Sequence, residues 1–526
     1  MKLRRHSIFI LILAFAAISR IVLLCQSQTH VHSDEAIIGL MGKHISEGRY
    51  FPFYMYGQSY NAGAAWEAYI AAIPFAIFGA NVILLKACVV ALSLVCLVLF
   101  YRLAHSMYGQ RTAELAALIF ALSPSLLKWH FQVRGYSFYF LSIPVLTSLF
   151  LSIESASLPK ARKVFFLGLA CGLSLWGLEL ILPLMGALWI LLALRRKLSN
   201  RNAAIGMAGF MIGYSPAILF NLTHHFSNWH DVFVHKTVEG GILGTLFDPS
   251  ACAGIFGQEM PKFFGPDTIL WYYSEIPASG IALYAVALLS VAAAVLPFFR
   301  QPSKIRRALC AGLSGDDENK DLLLLVFTAA CFVPYLDAQT RVASYFLGGC
   351  FFLSLLTARL LQRCFNAPQR TIRVLGGVLL LVILFTSVVT LVETGRRNQI
   401  ETLTLDQTGN AFLLARIPGA DIEAVEQHLR QRRISAVWAT VSFVYPLIFE
   451  SNETLVASDA IFGWEHQVYP SAIPWRVPKV DSCGVFVIET HSPLRPSMEK
   501  RCAQNTGVPP HVTEYGTLTV IEQMQR

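Results

Sequence analysis

Long apolar runs separated by short basic clusters dominate the first three quarters of this chain. Such runs occupy residues 8–24, 82–101, 112–127, 136–153, 164–179, 180–194, 203–220, 281–299, 321–336, 342–360 and 374–392. A helix crossing a bilayer needs about 20 mostly apolar residues, so the pattern predicts about 11–13 transmembrane helices. A cleaved leader is the rival reading of the first run, because Lys2, Arg4 and Arg5 precede it. No small-x-small site follows in Cys25-Gln26-Ser27-Gln28, which favours an uncleaved span.

The basic clusters assign sides. Lys2/Arg4/Arg5, Arg102/Arg111, Lys160/Arg162/Lys163, Arg195/Arg196/Lys197/Arg201, Arg300/Lys304/Arg306/Arg307 and Arg359/Arg363/Arg370/Arg373 fall on alternate ends of successive runs. Positively charged loops stay in the cytoplasm, so one topology satisfies all of them, with the N-terminus inside. Residues 25–81, 221–280 and 393–526 then face outward.

Within 25–81, Ile37, Ile38, Met41 and Ile45 recur near helical spacing while Lys43, His44 and Glu47 fall elsewhere, which predicts a helix lying along the interface. Residues 64–78 are apolar too, bounded by Gly63 and Gly79 and interrupted by Glu67 and Pro74. A full span there would invert every later loop against the charge pattern, so a second juxtamembrane helix is expected. Beyond residue 392 the character changes. Helical patterning at 421–432 and short apolar runs at 436–440, 454–457, 485–488 and 518–521 predict a small outward α/β domain. The expected fold class is an all-α polytopic membrane protein, with a membrane module at 1–392 and an α/β domain at 393–526.

Composition agrees. Of 526 residues, 55% are hydrophobic and 14% charged, against roughly 25% charged in soluble domains, which excludes a single water-soluble core. The net charge of +9 is mostly orientation signal and calls for no nucleic-acid partner. Most of the eleven cysteines lie in spans or on the inner side, where they act as small hydrophobes. Cys483 and Cys502 both lie in the outward segment, where an oxidising compartment permits a disulfide.

Candidate chemistry begins with Asp34-Glu35, placed just after the first span in a chain sparing of acids. Ser33 can cap the interfacial helix, and acids are favoured in a helix's first turn. Capping and catalysis both account for the pair at this stage.

The ordered set is informative. An inside N-terminus and an Asp-Glu pair opening the first outer loop are followed by Tyr56-Gly57-Gln58-Ser59-Tyr60, Glu67-Ala68-Tyr69, Phe78-Gly79, Arg134-Gly135-Tyr136-Ser137, and Arg341 with Tyr345. This layout resembles the GT-C type integral-membrane glycosyltransferases, in particular the bacterial protein-mannosyltransferase and lipid A aminoarabinose-transferase superfamily. The resemblance implies transfer of a sugar from a polyprenyl-phosphate carrier to a hydroxyl acceptor on a lipid, glycan or protein, with inversion, at the outer face of a bacterial inner membrane. It assigns Asp34 as general base and Glu35 as a helper that orients the site or binds a divalent cation. Glu67, Gln58, Tyr60, Arg134, Tyr136, Arg341 and Tyr345 become substrate-binding residues. Arg134 and Arg341 sit at outward ends of spans, against the positive-inside bias. They suit a phosphate whose charge grows in the transition state; snorkelling to headgroups, with Arg341 paired to Asp337, is the plainer account. The chain departs from the aminoarabinose-transferase pattern, since the acidic pair runs into Ala36-Ile37-Ile38 and Gln58-Ser59-Tyr60-Asn61 precedes the second outer helix.

A second cluster, His224, His225, His230 and His235 with Asp231, opens the large outer loop. Its residue types suit a transition metal, with His225, His230 and Asp231 as ligands; its spacing matches no zinc motif, and solvated histidines are the ordinary alternative. Trp271-Tyr272-Tyr273 fits an interfacial anchor. Asn221-Leu222-Thr223 and Asn452-Glu453-Thr454 match the glycosylation pattern. A transporter or flippase and a non-catalytic envelope-assembly component share the layout. The first places its site near the midplane and commonly shows repeats, which are not apparent here.

Overall fold

The computed structural model describes residues 7–27, 31–156, 160–234, 241–265, 276–301, 303, 305, 309, 317–337, 343–396, 399–405, 412–459, 485–492 and 495–523. Among these, Ser7–Cys25, Val82–Tyr108, Tyr136–Glu154, Ala278–Arg300, Asp317–Leu336, Ser344–Asn366 and Arg370–Val392 are long and apolar enough to cross a membrane. An eighth candidate span is broken, with Asn200–Gly213 and Ser215–Thr223 meeting at 57°. Proline accounts for the break: Pro216 has no N–H for the Ile212 carbonyl, which the Ser215 hydroxyl takes instead at 2.8 Å. The remaining predicted stretches are shorter helices, Gln110–Leu122, Ala161–Gly177 and Leu182–Leu194. The chain is a multi-pass membrane protein, and every apolar run read from sequence falls on a helix.

Ser344–Asn366 is the hub, with 89% of its apolar window buried, while Arg370–Val392 at 22% turns most of its surface to lipid. Ala161–Gly177 and Asn200–Gly213 meet backbone to backbone. A Cβ on Gly168 would lie 1.9 Å from the Gly206 carbonyl oxygen, and one on Gly213 would lie 2.3 Å from that of Leu169. Lipid tails give helices little hydrophobic reason to associate, so this close fit of small residues does the work. At the end of the bundle away from the first outer loop, the buried Asp321 carboxylate accepts from the Tyr108 hydroxyl at 2.8 Å and pairs with Arg363, while Arg359 reaches Asp317 at 2.8 Å. Two arginines that read as orientation signals therefore also tie three spans together.

Both expected outer helices form, as Ser33–Ser46 and Ala62–Phe78. Beyond the last span, β1 (Gln399–Leu405) and β2 (Phe412–Pro418) pair antiparallel. A second, five-stranded sheet has the order β4-β3-β5-β7-β6, with β3 (Ala436–Ala439) parallel to β4 (Val456–Asp459) and β5 (Val485–Glu489). The strand β7 (Leu518–Glu522) runs antiparallel to β5 and to β6 (His511–Tyr515). One sheet face buries Trp438, Phe486 and Ile521 against Met498 and Cys502. The other joins a core that continues into both outer helices. Cys502 is buried, and Cys483 lies outside the described residues.

Helix Val441–Glu450 docks on the first outer helix, so tightly that a Cβ on Gly39 would come within 2.6 Å of the Phe449 ring. Just beyond it, Glu453 ion-pairs with Lys43 and with Arg49 at 2.5 Å, and hydrogen-bonds with His44 Nε2 at 3.0 Å. These partners hold its carboxyl far below the usual range in spite of burial.

Candidate functional site

The two acids of the opening pair do different things. The N-cap of Ser33–Ser46 is His32, one residue before the expected Ser33: its Nδ1 accepts from the Asp34 N–H at 3.2 Å, which leaves the ring proton on Nε2. Glu35 completes a capping box by accepting from the His32 N–H at 2.9 Å. The Glu35 carboxylate also accepts from the Val133 N–H at 3.0 Å and pairs with Lys86 at 3.3 Å, with both side chains buried. Capping thus accounts for Glu35 and leaves Asp34, 37% exposed at its side chain, facing outward.

Glu67 repeats the logic from the second outer helix. Fully buried, it accepts from the N–H groups of Gly135 at 2.7 Å and Ser137 at 3.0 Å. Burial pushes its carboxyl up to about 7 against the pull of those donors. Gly63 and Gly135 pack so closely that a Cβ on Gly63 would sit 1.9 Å from the Gly135 carbonyl oxygen, and Gly135 has φ +84°. Asn61 donates to the Arg134 carbonyl at 3.3 Å. Residues 133–137 are therefore held at Val133, Arg134, Gly135 and Ser137 by both outer helices, which fixes where the Arg134 side chain departs.

That side chain is 11% exposed, and its Nη1 lies 3.7 Å from the Asp34 carboxylate. Its Nε and Nη2 are buried and bond to nothing among the described residues, as is true of the carbonyl oxygens of Gln58 and Gln132. Burying guanidinium N–H groups without acceptors is costly, so Arg134 keeps two donors whose hydrogen-bonding capacity is unspent among the described residues. His32 stays neutral beside it, pushed down to about 4 by burial and then by the Arg134 charge.

Tyr136 donates to the Ser344 hydroxyl at 2.7 Å, which ties this segment to the hub span. Tyr345 is half-buried next to it, and Tyr60 is half-buried in the first outer loop. Arg341 lies outside the described residues, as do His235 and Trp271-Tyr272-Tyr273. Sequence reasoning missed three participants. Lys86 was legible as a lone cation near the outward end of an apolar run, whereas His32 carried no signal. Glu179, at the start of a short turn before Leu182–Leu194, lies near enough for its charge to act on the phenols of Tyr54, Tyr136, Tyr214 and Tyr345. It therefore lies near Tyr136 and Tyr345.

The second histidine cluster does not assemble. His225 and His230 are exposed, His224 stacks on Phe220 at 4.0 Å, and Asp231 accepts from the Ser59 hydroxyl. No group of three potential ligands is found among the described residues. The acidic pair fits a divalent cation no better, since such ions want several free oxygens. Glu35 and Glu67 spend theirs on N–H groups, leaving Asp34 beside Arg134. Asn221 is buried, its amide bonded to the Ala217 carbonyl at 3.0 Å and to Asn228 at 3.2 Å, so the first sequon offers no accessible nitrogen.

No family model matches this chain, and no curated protein matches it in sequence. Among solved structures, ArnT from Cupriavidus metallidurans bound to undecaprenyl phosphate is similar over 99% of this chain and 98% of its own, with TM-score 0.61 and 13% identity. The oligosaccharyltransferase AglB from Archaeoglobus fulgidus, in complex with an inhibitory peptide and a dolichol-phosphate, is similar over 95% of this chain and 72% of its own, with TM-score 0.53 and 11% identity. The fold is GT-C. The resemblance read from the ordered motifs is borne out at the level of architecture. In this GT-C fold the two outer helices and residues 133–137 converge around Asp34 and Arg134.

Proposed function

We propose that this chain is a glycosyltransferase that moves a sugar from a polyprenyl-phosphate-linked donor to a hydroxyl acceptor of a lipid, glycan or protein, with inversion. The observation that carries this reading is the pairing of Asp34, an outward-facing carboxylate, with Arg134, a buried guanidinium with unfilled donors 3.7 Å away. Solved GT-C relatives in complex with undecaprenyl phosphate and dolichol-phosphate support a lipid-phosphate donor.

The acceptor oxygen attacks the anomeric carbon while its proton passes to Asp34, a base within reach of water and acceptor. The bond from that carbon to the phosphate oxygen breaks, and its electron pair leaves with the phosphate. Arg134 is rigidly held where that negative charge grows, in a site with little water to screen it. Glu35 and Lys86 neutralise each other and fix the floor. The alternation of basic loops supports an inside N-terminus and an outward-facing site in a bacterial inner membrane.

The test uses membranes carrying the full chain and a lipid-phosphate sugar donor. Asp34→Asn is expected to express and fold normally and to lose transfer by a factor of about 10²–10⁴. Undiminished transfer by this variant would remove Asp34 as the base. Movement of substrate across proteoliposomes with no transfer would overturn the enzymatic reading in favour of transport.

A further inference from the structure

The far end of the bundle holds a cavity unrelated to this chemistry. Helix Val82–Tyr108 starts beside Glu35 and runs 27 residues, about 40 Å at 1.5 Å per residue, before reaching it. The cavity encloses about 690 Å³ between the last turns of Val82–Tyr108, one face of Tyr136–Glu154 and the start of Asp317–Asp337. Its origin is local. Pro144 cannot bond the Phe140 carbonyl, the Cys96 thiol takes that oxygen at 3.4 Å, and beyond this contact the cavity opens between the two helices.

The lining changes along its length. Leu99, Val145 and Leu149 make apolar walls, and Arg102, Lys320 and the hydroxyls of Ser152 and Ser155 gather towards the helix ends. Arg102 is exposed and has no partner among the described residues. Lys320 shares Asp317 at 3.1 Å with Arg359. Lys163 caps the carbonyl of Ser152, one of the lining residues, at 2.8 Å. The lining thus sets two cations, Arg102 and Lys320, over an apolar trough, with Asp317 shared between Lys320 and Arg359.

We propose that this cavity binds an anionic phospholipid, its phosphate against Arg102 and Lys320 and an acyl chain along Leu99, Val145 and Leu149. A basic pocket between membrane helices recognises charge, and each Lys or Arg near an anionic headgroup adds affinity. The apolar walls select a lipid over a soluble anion.

The experiment is native mass spectrometry of the purified full chain titrated with phosphatidylglycerol, phosphatidylcholine of the same acyl chains, or glycerol phosphate. Phosphatidylglycerol is expected to bind about thirtyfold more tightly than phosphatidylcholine, and Arg102→Gln to weaken it about fivefold. The Arg102→Gln/Lys320→Gln pair is expected to erase the preference. Leu149→Trp, which fills the trough, is expected to release both lipids while the protein stays monodisperse. Equal retention of the two lipids, a preference untouched by Arg102→Gln, or saturation by glycerol phosphate as readily as by the lipid would each overturn the proposal. Because no variant lies near Asp34, the outcome is independent of sugar transfer.

Discussion

The carboxylates of Asp34 and Glu35 leave one helical turn in different directions, and their partners predict different failures. Glu35→Gln leaves buried Lys86 without its counter-charge, a loss of about 3 kcal/mol; a lowered Tm in detergent is the expected reading, with the remaining folded protein active. Asp34→Asn should do the reverse, leaving Tm unchanged and transfer abolished. Arg134→Lys keeps the charge and loses the planar fork that fits a phosphate, so the KM for the lipid-phosphate donor should rise about tenfold with little change for the acceptor. The sequence located the pair, the two outer helices and the outward arginine. It did not reveal the division of labour, because that depends on His32 taking the N-cap position and on Val133 and Lys86 arriving from segments 50–100 residues away. Glu67 read as a substrate-binding residue by resemblance, and its burial against the N–H groups of Gly135 and Ser137 is what gives it a structural part.

At the scale of elements, the apolar runs were the most legible feature, since length and hydropathy alone define a span. The C-terminal region was half legible. β3, β4, β5 and β7 bury apolar residues and could be read from them, whereas β6 is polar and pairs only with β7 at the sheet edge. Helix Val441–Glu450 escaped notice because its apolar surface is shared with the outer helices and shows no clean stripe. Two element-level predictions follow from packing. Gly168→Leu should block assembly of Ala161–Gly177 on Asn200–Gly213 and abolish recovery of folded protein, measured as monodisperse yield, because a side chain there meets backbone at 1.9 Å. Glu453→Gln should weaken the clamp on Lys43, His44 and Arg49 by about 2 kcal/mol, seen as faster proteolysis between the first outer helix and the C-terminal sheet.

The whole molecule is joined at one further point. Glu426 is half-buried next to Glu450, whose carboxylate accepts from the Val31 N–H at 3.3 Å, directly before His32. Burial and then the Glu450 charge push Glu426 up to about 8, with Glu423 adding and Arg430 opposing. A carboxyl raised in the folded state stabilises the fold fully below its unfolded value and loses that contribution as pH climbs through its folded value. Tm should therefore fall between about pH 4.5 and about pH 8, and Glu426→Gln, fixed in the neutral form, should flatten that fall. A chelator should leave transfer unchanged, since Glu35 and Glu67 spend their oxygens on N–H groups and Asp34 alone offers too few for a divalent cation.

Lys43 and Glu453 meet across 410 residues of sequence. A ribosome adding about 5–20 residues per second needs roughly 20–80 s to cover that distance, so the first outer helix is exported long before its clamp has been made. Until then the helix carrying Asp34 lacks the surface on which it is braced. Synthesis itself acts as a timer, since the brace on the helix carrying Asp34 is complete only once residue 453 has been made.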